Sequence, residues 1–209
     1  MSTRSESHII GDLEALERIY GEPSKASIVK EVAFVHPHYR ALIEAAPFAV
    51  LATVGPDGVD ATPRGDTPGF VVVEDEKTLL MPDRRGNNRV DSLRNIISDP
   101  RVSLFFLIPG IGETLRVLGQ AAISVEPDLL ERFAVDGKPP RSVLVIDVRS
   151  VFFQCARAII RSDLWNPEKH VARGVLPSTG TILSTLSDNT IDAAAYDHAL
   201  PGRAKTTLY

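Results

Sequence analysis

The chain has 209 residues, 44% of them hydrophobic and 24% charged, with a formal net charge of −4. This is ordinary globular composition with enough apolar residues for a substantial core, and the acidic balance argues against a nucleic-acid binder, which would carry a basic stripe. The single cysteine, Cys155, excludes an intramolecular disulfide framework and fits a reducing compartment.

In chain order, residues 1–8 read as a loose polar lead without the charged-then-apolar order of a signal peptide. Ile10 to Tyr20 is an amphipathic helix with Asp12 as cap and Leu13, Leu16 and Tyr20 on one face, stopped by Gly21 and Pro23. His36 to Ala46 is a second helix, with Pro37 tolerated in its first turn. Phe48 to Val54 is an apolar strand. The turn Gly55-Pro56-Asp57-Gly58 leads from it into Val59 to Thr62, which makes a β-hairpin. Phe70 to Val73 and Thr78 to Met81 flank a charged tip as a second hairpin. From Asn87 to Ile97 the period becomes helical, with Val90, Leu93, Ile96 and Ile97 recurring before Asp99-Pro100. Val102 to Ile108 is a buried strand. In Thr114 to Val125, Leu115, Val117, Ala121, Ile123 and Val125 share one face, and Thr114, Arg116, Gln120 and Ser124 the other. Glu126 to Phe133 is a short helix, and Ser142 to Phe153 a long strand. After Arg161 the chain turns polar, with a Ser/Thr-rich stretch over 178–187 and a short helix near Ile191 to His198. That tail is too polar for a core of its own, so it is expected on the barrel or on a second subunit. About seven strands joined mostly by hairpins favour a mainly β fold, an antiparallel barrel with peripheral helices. No apolar run approaches the ~20 residues that span a bilayer. A soluble cytoplasmic protein, with neither membrane nor nucleic acid as partner, is the expectation.

Arg64, Arg84, Arg85 and Arg89 concentrate positive charge against the sign of the whole chain, which points to a small anionic ligand. Gly86-Asn87-Asn88-Arg89 stands just before the helical segment, where backbone N–H groups and the positive dipole end favour phosphate. A capped helix with solvated arginines is the competing reading. Gly110-Ile111-Gly112 is a hairpin loop, because Leu115 stands where a dinucleotide fingerprint needs its third glycine. His36 and His38 read as solvated helix-start histidines; no metal site is expected. Cys155 reads as a half-buried structural thiol. No G-x-S-x-G motif points to a hydrolytic serine, and no catalytic residue is identified.

Four segments carry a resemblance: Ala61-Thr62-Pro63-Arg64-Gly65-Asp66, Met81 to Arg89, Pro109 to Gly119, and Phe153 to Trp165. Over residues 36–168 the chain resembles the pyridoxamine 5′-phosphate oxidase-related, FMN-binding split-barrel proteins, and more narrowly a bacterial flavin-nucleotide-binding subgroup of unassigned substrate. The resemblance implies a six-stranded antiparallel split barrel at 36–168, with an N-terminal helical extension (1–35) and a C-terminal tail with a short helix (169–209). It implies a homodimer with FMN at the subunit interface. Arg64 would lie near the isoalloxazine and ribityl part, with the backbone of Met81 and Pro82 against the ring. Asn88 and Arg89 would hold the phosphate, helped by Arg85 and Asn87. Thr114 would sit beside the flavin, and Arg157, Arg161 and Trp165 would approach from the second subunit. The oxidase's own substrate residues have no counterpart, and the chain closes with Lys205-Thr206-Thr207-Leu208-Tyr209 in place of the oxidase pattern.

The expected function is an FMN-dependent oxidoreductase passing hydride equivalents to or from a small substrate or electron donor. The alternatives are a flavin carrier, store or redox sensor without turnover, and a structural barrel dimer whose arginines are merely solvated.

Overall fold

The protein is known from a computed structural model, in which residues 8–209 are described; the polar lead expected over 1–8 lies, up to residue 7, outside the described residues. The chain divides into two units, Met1–Glu31 and Val32–Tyr209. In the first, α1 (Leu13–Tyr20) is capped by Asp12, whose side chain accepts from Ala15 N, and closes at Gly21 with φ 66°. A further helix, α2 (Lys25–Val29), is capped in the same way by Ser24. Five residues are too few for a periodic face to show in sequence.

The second unit opens with α3 (Pro37–Ala45), where His36 Nδ1 accepts from His38 N at 3.2 Å and so caps the helix. There follow β1 (Phe48–Gly55), β2 (Gly58–Gly65), β3 (Val72–Val73), β4 (Thr78–Asp83), α4 (Asp91–Ser98), β5 (Arg101–Leu107), β6 (Thr114–Ser124), α5 (Pro127–Arg132) and β7 (Ser142–Gln154). The strands form one antiparallel sheet in the order β2-β1-β5-β6-β7-β4-β3. The family resemblance implies six strands; the seventh is β3, a two-residue edge paired to β4 only at Val72 and Val73.

Leu51, Leu79, Leu104, Phe106, Leu144 and Ile146 are completely buried, by alternation along β1 and β5 and within runs of consecutive buried residues in β4 and at the start of β7. Each such side chain stabilises the fold by about 1.5–3 kcal/mol. Val125, expected on one face with Leu115, Val117, Ala121 and Ile123, lies past the end of β6 and is exposed. A bulge at Leu118/Gly119 bends β6 against β7; a Cβ on Gly119 would lie 2.4 Å from the Asp147 carbonyl oxygen, so this close approach needs glycine.

The edge strand β2 and strand β4 are not neighbours in the sheet, yet their ends meet. Arg64 of β2 pairs with Asp83 of β4, and Asp66 pairs with Arg84, Nε to Oδ2 2.7 Å. The sheet therefore curls until side chains, rather than a hydrogen-bond ladder, close a seam. That is a split barrel.

Beyond β7 lie α6 (Arg157–Ser162), α7 (Thr179–Leu186) and α8 (Ala193–Thr206). The Ser/Thr-rich stretch thus holds a helix, capped by Ser178. It packs on α8 through Gly180, where a Cβ would meet the Ala193 carbonyl oxygen at 2.3 Å. The tail touches the barrel at the seam, where the Tyr209 hydroxyl donates to Asp66 Oδ1 at 2.6 Å. Among the described residues no helix is long and apolar enough to cross a membrane.

Candidate functional site

A cleft of about 440 Å³ runs along the seam, within the ~300–1,000 Å³ usual for small-molecule sites. The end of β2 contributes Arg64 and the end of β4 contributes Pro82 and Asp83. The loop 84–89, the first turn of α4 and Arg141 complete it. The Arg64 guanidinium donates to Asp83 Oδ1, and to Ser92 Oγ at 2.8 Å. Its Nε is buried without a partner among the described residues. A buried donor left unmatched costs about 1–3 kcal/mol, so the cleft holds a donor suited to an acceptor-bearing ligand.

The loop after β4 departs from the sequence reading. The helix begins at Asp91, not at Asn87, because Asn88 adopts φ 61°, a left-handed conformation that a right-handed helix cannot contain. Asn87 Oδ1 instead accepts from Arg89 N at 3.0 Å, and Asn88 Oδ1 accepts from Arg141 Nη1 at 2.9 Å. Arg89 is largely exposed, its Nε donating to Asp91 Oδ2 at 2.9 Å. Val90 caps α4 without a side-chain hydrogen bond, and Val90, Ser92 and Leu93 line the cleft. The helix therefore still presents a positive, uncapped end to the cleft, with Asp91 as the one carboxylate in its first turn.

The seam's charges fall into two kinds. Arg84 is locked: Nε donates to Asp66, Nη1 donates to the Phe133 carbonyl at 2.6 Å, and its guanidinium stacks 5.5 Å from the Tyr209 ring centre. Burial would push the Asp66 carboxyl up, but the Tyr209 hydroxyl, the Thr67 N–H and Arg84 together hold it below its ordinary value. The same contact pushes the Tyr209 hydroxyl up. Arg85 and Arg141, by contrast, have no carboxylate partner among the described residues.

Of the residues nominated from sequence, Arg64, Pro82, Arg85, Asn87, Asn88 and Arg89 line this one cleft. Met81 does not: its side chain is in the core and its backbone pairs with Leu144. Thr114 is buried at the start of β6 opposite Gln154, rather than on an open polar face. Arg157 and Arg161 lie on α6, and Trp165 Nε1 donates to the Ile111 carbonyl at 2.8 Å. These four stand at the far end of β7, a 13-residue strand whose other end borders the cleft, roughly 40 Å along the chain. Cys155, just past β7, is exposed rather than half-buried. Asp83, Ser92 and Arg141 were not foreseen as cleft residues. Ser92 was within reach of helical periodicity, one turn before Ile96, but nothing local marks Arg141, which lies 53 residues from Asn88.

A protein-family model described as pyridoxamine 5′-phosphate oxidase matches residues 35–155, more than half of the chain. No curated protein sequence matches it. Among solved structures, the chain is similar to HupZ of Group A Streptococcus (20% identity over 57% of this chain and 94% of that one, TM-score 0.47). It is also similar to general stress protein 26 of Bacillus anthracis (17% identity, 54% and 88% covered, TM-score 0.42). A third likeness is a Clostridium acetobutylicum protein related to general stress protein 26, of the pyridoxinephosphate oxidase family (14% identity, 56% and 86% covered, TM-score 0.44). With the family model spanning residues 35–155 of an antiparallel split barrel, the chain belongs to the pyridoxamine 5′-phosphate oxidase family.

Proposed function

We propose that the seam cleft holds FMN and that the protein is a flavin-dependent oxidoreductase acting on a small substrate. The observation that carries this reading is the convergence of Arg64, Pro82, Arg85, Asn87, Asn88 and Arg89 on one cleft beside the uncapped end of α4. Bound FMN would supply the hydride chemistry; the chain supplies binding, orientation and electrostatics. The Asn87–Arg89 loop and Arg85 would hold the phosphate with charged and amide donors. Arg89 would share its guanidinium between Asp91 and that phosphate. Arg64, kept in place by Asp83 and Ser92, would offer its unmatched Nε to a flavin acceptor.

A homodimer belongs to the same proposal. Arg157, Arg161 and Trp165 would reach the flavin of a second copy. The support is an apolar surface beside them: Ile160 is 71% exposed, and Leu164 and Ile111 are exposed as well.

The test is to saturate the purified protein with FMN, then add NADH or NADPH without oxygen. Co-elution of flavin with protein, bleaching of the visible flavin band and its return in air are the expected results. A protein that takes up no flavin contradicts the reading. Uptake with no reduction by any donor in a broad panel would favour a carrier, store or sensor.

A further inference from the structure

The seam cleft does not end at the Asn87–Arg89 loop. A second hollow of about 340 Å³ adjoins it, sharing Arg84, Arg85 and Arg141 with it and bounded further by Lys138, Pro139, Pro140 and Tyr209. We propose that this hollow is a second anion subsite, continuous with the phosphate end of the cleft, which takes a further phosphate or carboxylate beyond that of FMN. The proposal rests on the flavin reading above.

Strand register makes the first argument. Asp83 pairs with Ser142 at the end of the β4–β7 ladder, and the next residues along, Arg84 and Arg141, both line the hollow. Like charges gathered in this way repel one another unless a partner relieves them. Arg84 is relieved by Asp66, whereas Arg141 has only the neutral Asn88 amide oxygen.

Charge makes the second. The side chains of Arg85 and Lys138 have no hydrogen-bonded or ion-paired partner among the described residues. The acids close by are Asp66, committed to Arg84 and Tyr209, and Asp136 of the adjacent turn, whose field reaches the Tyr209 hydroxyl. Four cations facing two carboxylates, one of them already engaged, leave a positive hollow suited to an anion.

Rigidity makes the third. Val135 and Lys138 exchange both backbone hydrogen bonds, at 3.1 and 2.9 Å, around Asp136 and Gly137 at φ 50° and 70°. Positive φ at both central residues is what a tight two-residue turn needs. Pro139 and Pro140 then fix φ on the way to Arg141, so Lys138 and Arg141 are presented on a stiff segment rather than a free loop.

The test uses Lys138→Glu, because Lys138 is exposed and outside the FMN cleft, with Lys138→Arg as the conservative control. Three affinities are measured on the full chain: for FMN, for FAD, and for inorganic pyrophosphate with and without FMN bound. The expected result is a loss of about tenfold or more in FAD or in pyrophosphate affinity. FMN should change less than about twofold, and Lys138→Arg should behave as wild type. A loss confined to FAD identifies an anion carried on the flavin; a loss for pyrophosphate identifies a separate anionic ligand. The proposal is overturned if wild type binds neither FAD nor pyrophosphate, if neither affinity changes, or if FMN weakens as much as the probes. A chain that takes no flavin but still binds pyrophosphate through Lys138 would keep the subsite and remove the flavin reading.

Discussion

The two ends of β7 carry opposite chemistry. Where the strand begins, at Ser142, it borders the seam, with Arg85, Lys138 and Arg141 free of carboxylate partners and Arg84 locked to Asp66. Where it ends, at Gln154, the chain turns into α6 and exposes Ile160 and Leu164 beside Trp165, which is held to the Ile111 carbonyl. One end is polar and cationic, suited to a ligand's phosphate. The other exposes apolar side chains flanked by Arg157 and Arg161 and is suited to another surface. A single strand cannot bring its own two ends together, so residues from both ends can share a ligand only across two copies of the chain. That is the physical content of the proposed dimer, and each end can be perturbed without touching the other.

The largest effect is expected at the apolar end. Ile160→Glu would place a charge where the proposed interface is dry, costing about 2–4 kcal/mol of association, or roughly 30- to 1,000-fold in the dimer constant. Light scattering at micromolar concentration should then report a monomer, with flavin affinity reduced. A wild-type monomer, or a dimer indifferent to this change, removes the shared site.

At the cationic end, Asp66→Ala leaves Arg84 without its carboxylate and Tyr209 without its acceptor. Removing one partner of a buried pair typically costs 3–5 kcal/mol, but the Arg84 side chain keeps 18% exposure and water relieves part of this. About 2–3 kcal/mol is expected, a fall in Tm of roughly 5–10 °C. An unchanged Tm would mean that the ion pair does not close the seam.

Tyr209→Phe is a finer probe of the same place and should cost about 1 kcal/mol near neutral pH. Its pH dependence has a defined sign. The Asp66 carboxyl is held below 3.8, so its contribution is present above that value and is lost as pH falls through the lower folded one. The Tyr209 hydroxyl is raised above 10.0, so its contribution is present below that value and is lost as pH rises through the higher folded one. The difference in stability between wild type and Tyr209→Phe should therefore be flat from about pH 4 to 10 and close on both sides. A difference that widens into acid contradicts the contact.

What the sequence made legible is the barrel wall. Val102 to Ile108 and Ser142 to Phe153 are apolar runs of strand length, and their boundaries differ by at most one residue from β5 and β7. The Gly55–Gly58 turn joins β1 and β2 as read. The seam was not legible, because its contacts join residues 19, 53 and 143 positions apart (Arg64–Asp83, Asn88–Arg141 and Asp66–Tyr209). No local period encodes such closures; they follow from how the sheet curls. The start of α4 was misplaced because helical spacing from Val90 on says nothing of the φ adopted two residues earlier. Asn is among the residues that tolerate φ 61° best, which is a hint but not a boundary. The helix α7 was within reach, since Ser178 is a strong N-cap type that here accepts from Thr181 N.

The most direct test of the phosphate end compares FMN with riboflavin, which lacks the phosphate, in wild type and in Arg89→Ala. A charged donor to phosphate contributes roughly 1.5–3 kcal/mol, so FMN should weaken about 10- to 150-fold while riboflavin hardly changes. Arg94→Ala serves as the control, because Arg94 is exposed, outside the cleft and 3.8 Å from Asp91; it should leave both ligands alone. The expected result is an FMN-to-riboflavin affinity ratio that falls by at least tenfold in Arg89→Ala and stays put in Arg94→Ala. A ratio that Arg89→Ala leaves unchanged would contradict the placement of the phosphate at the Asn87–Arg89 loop.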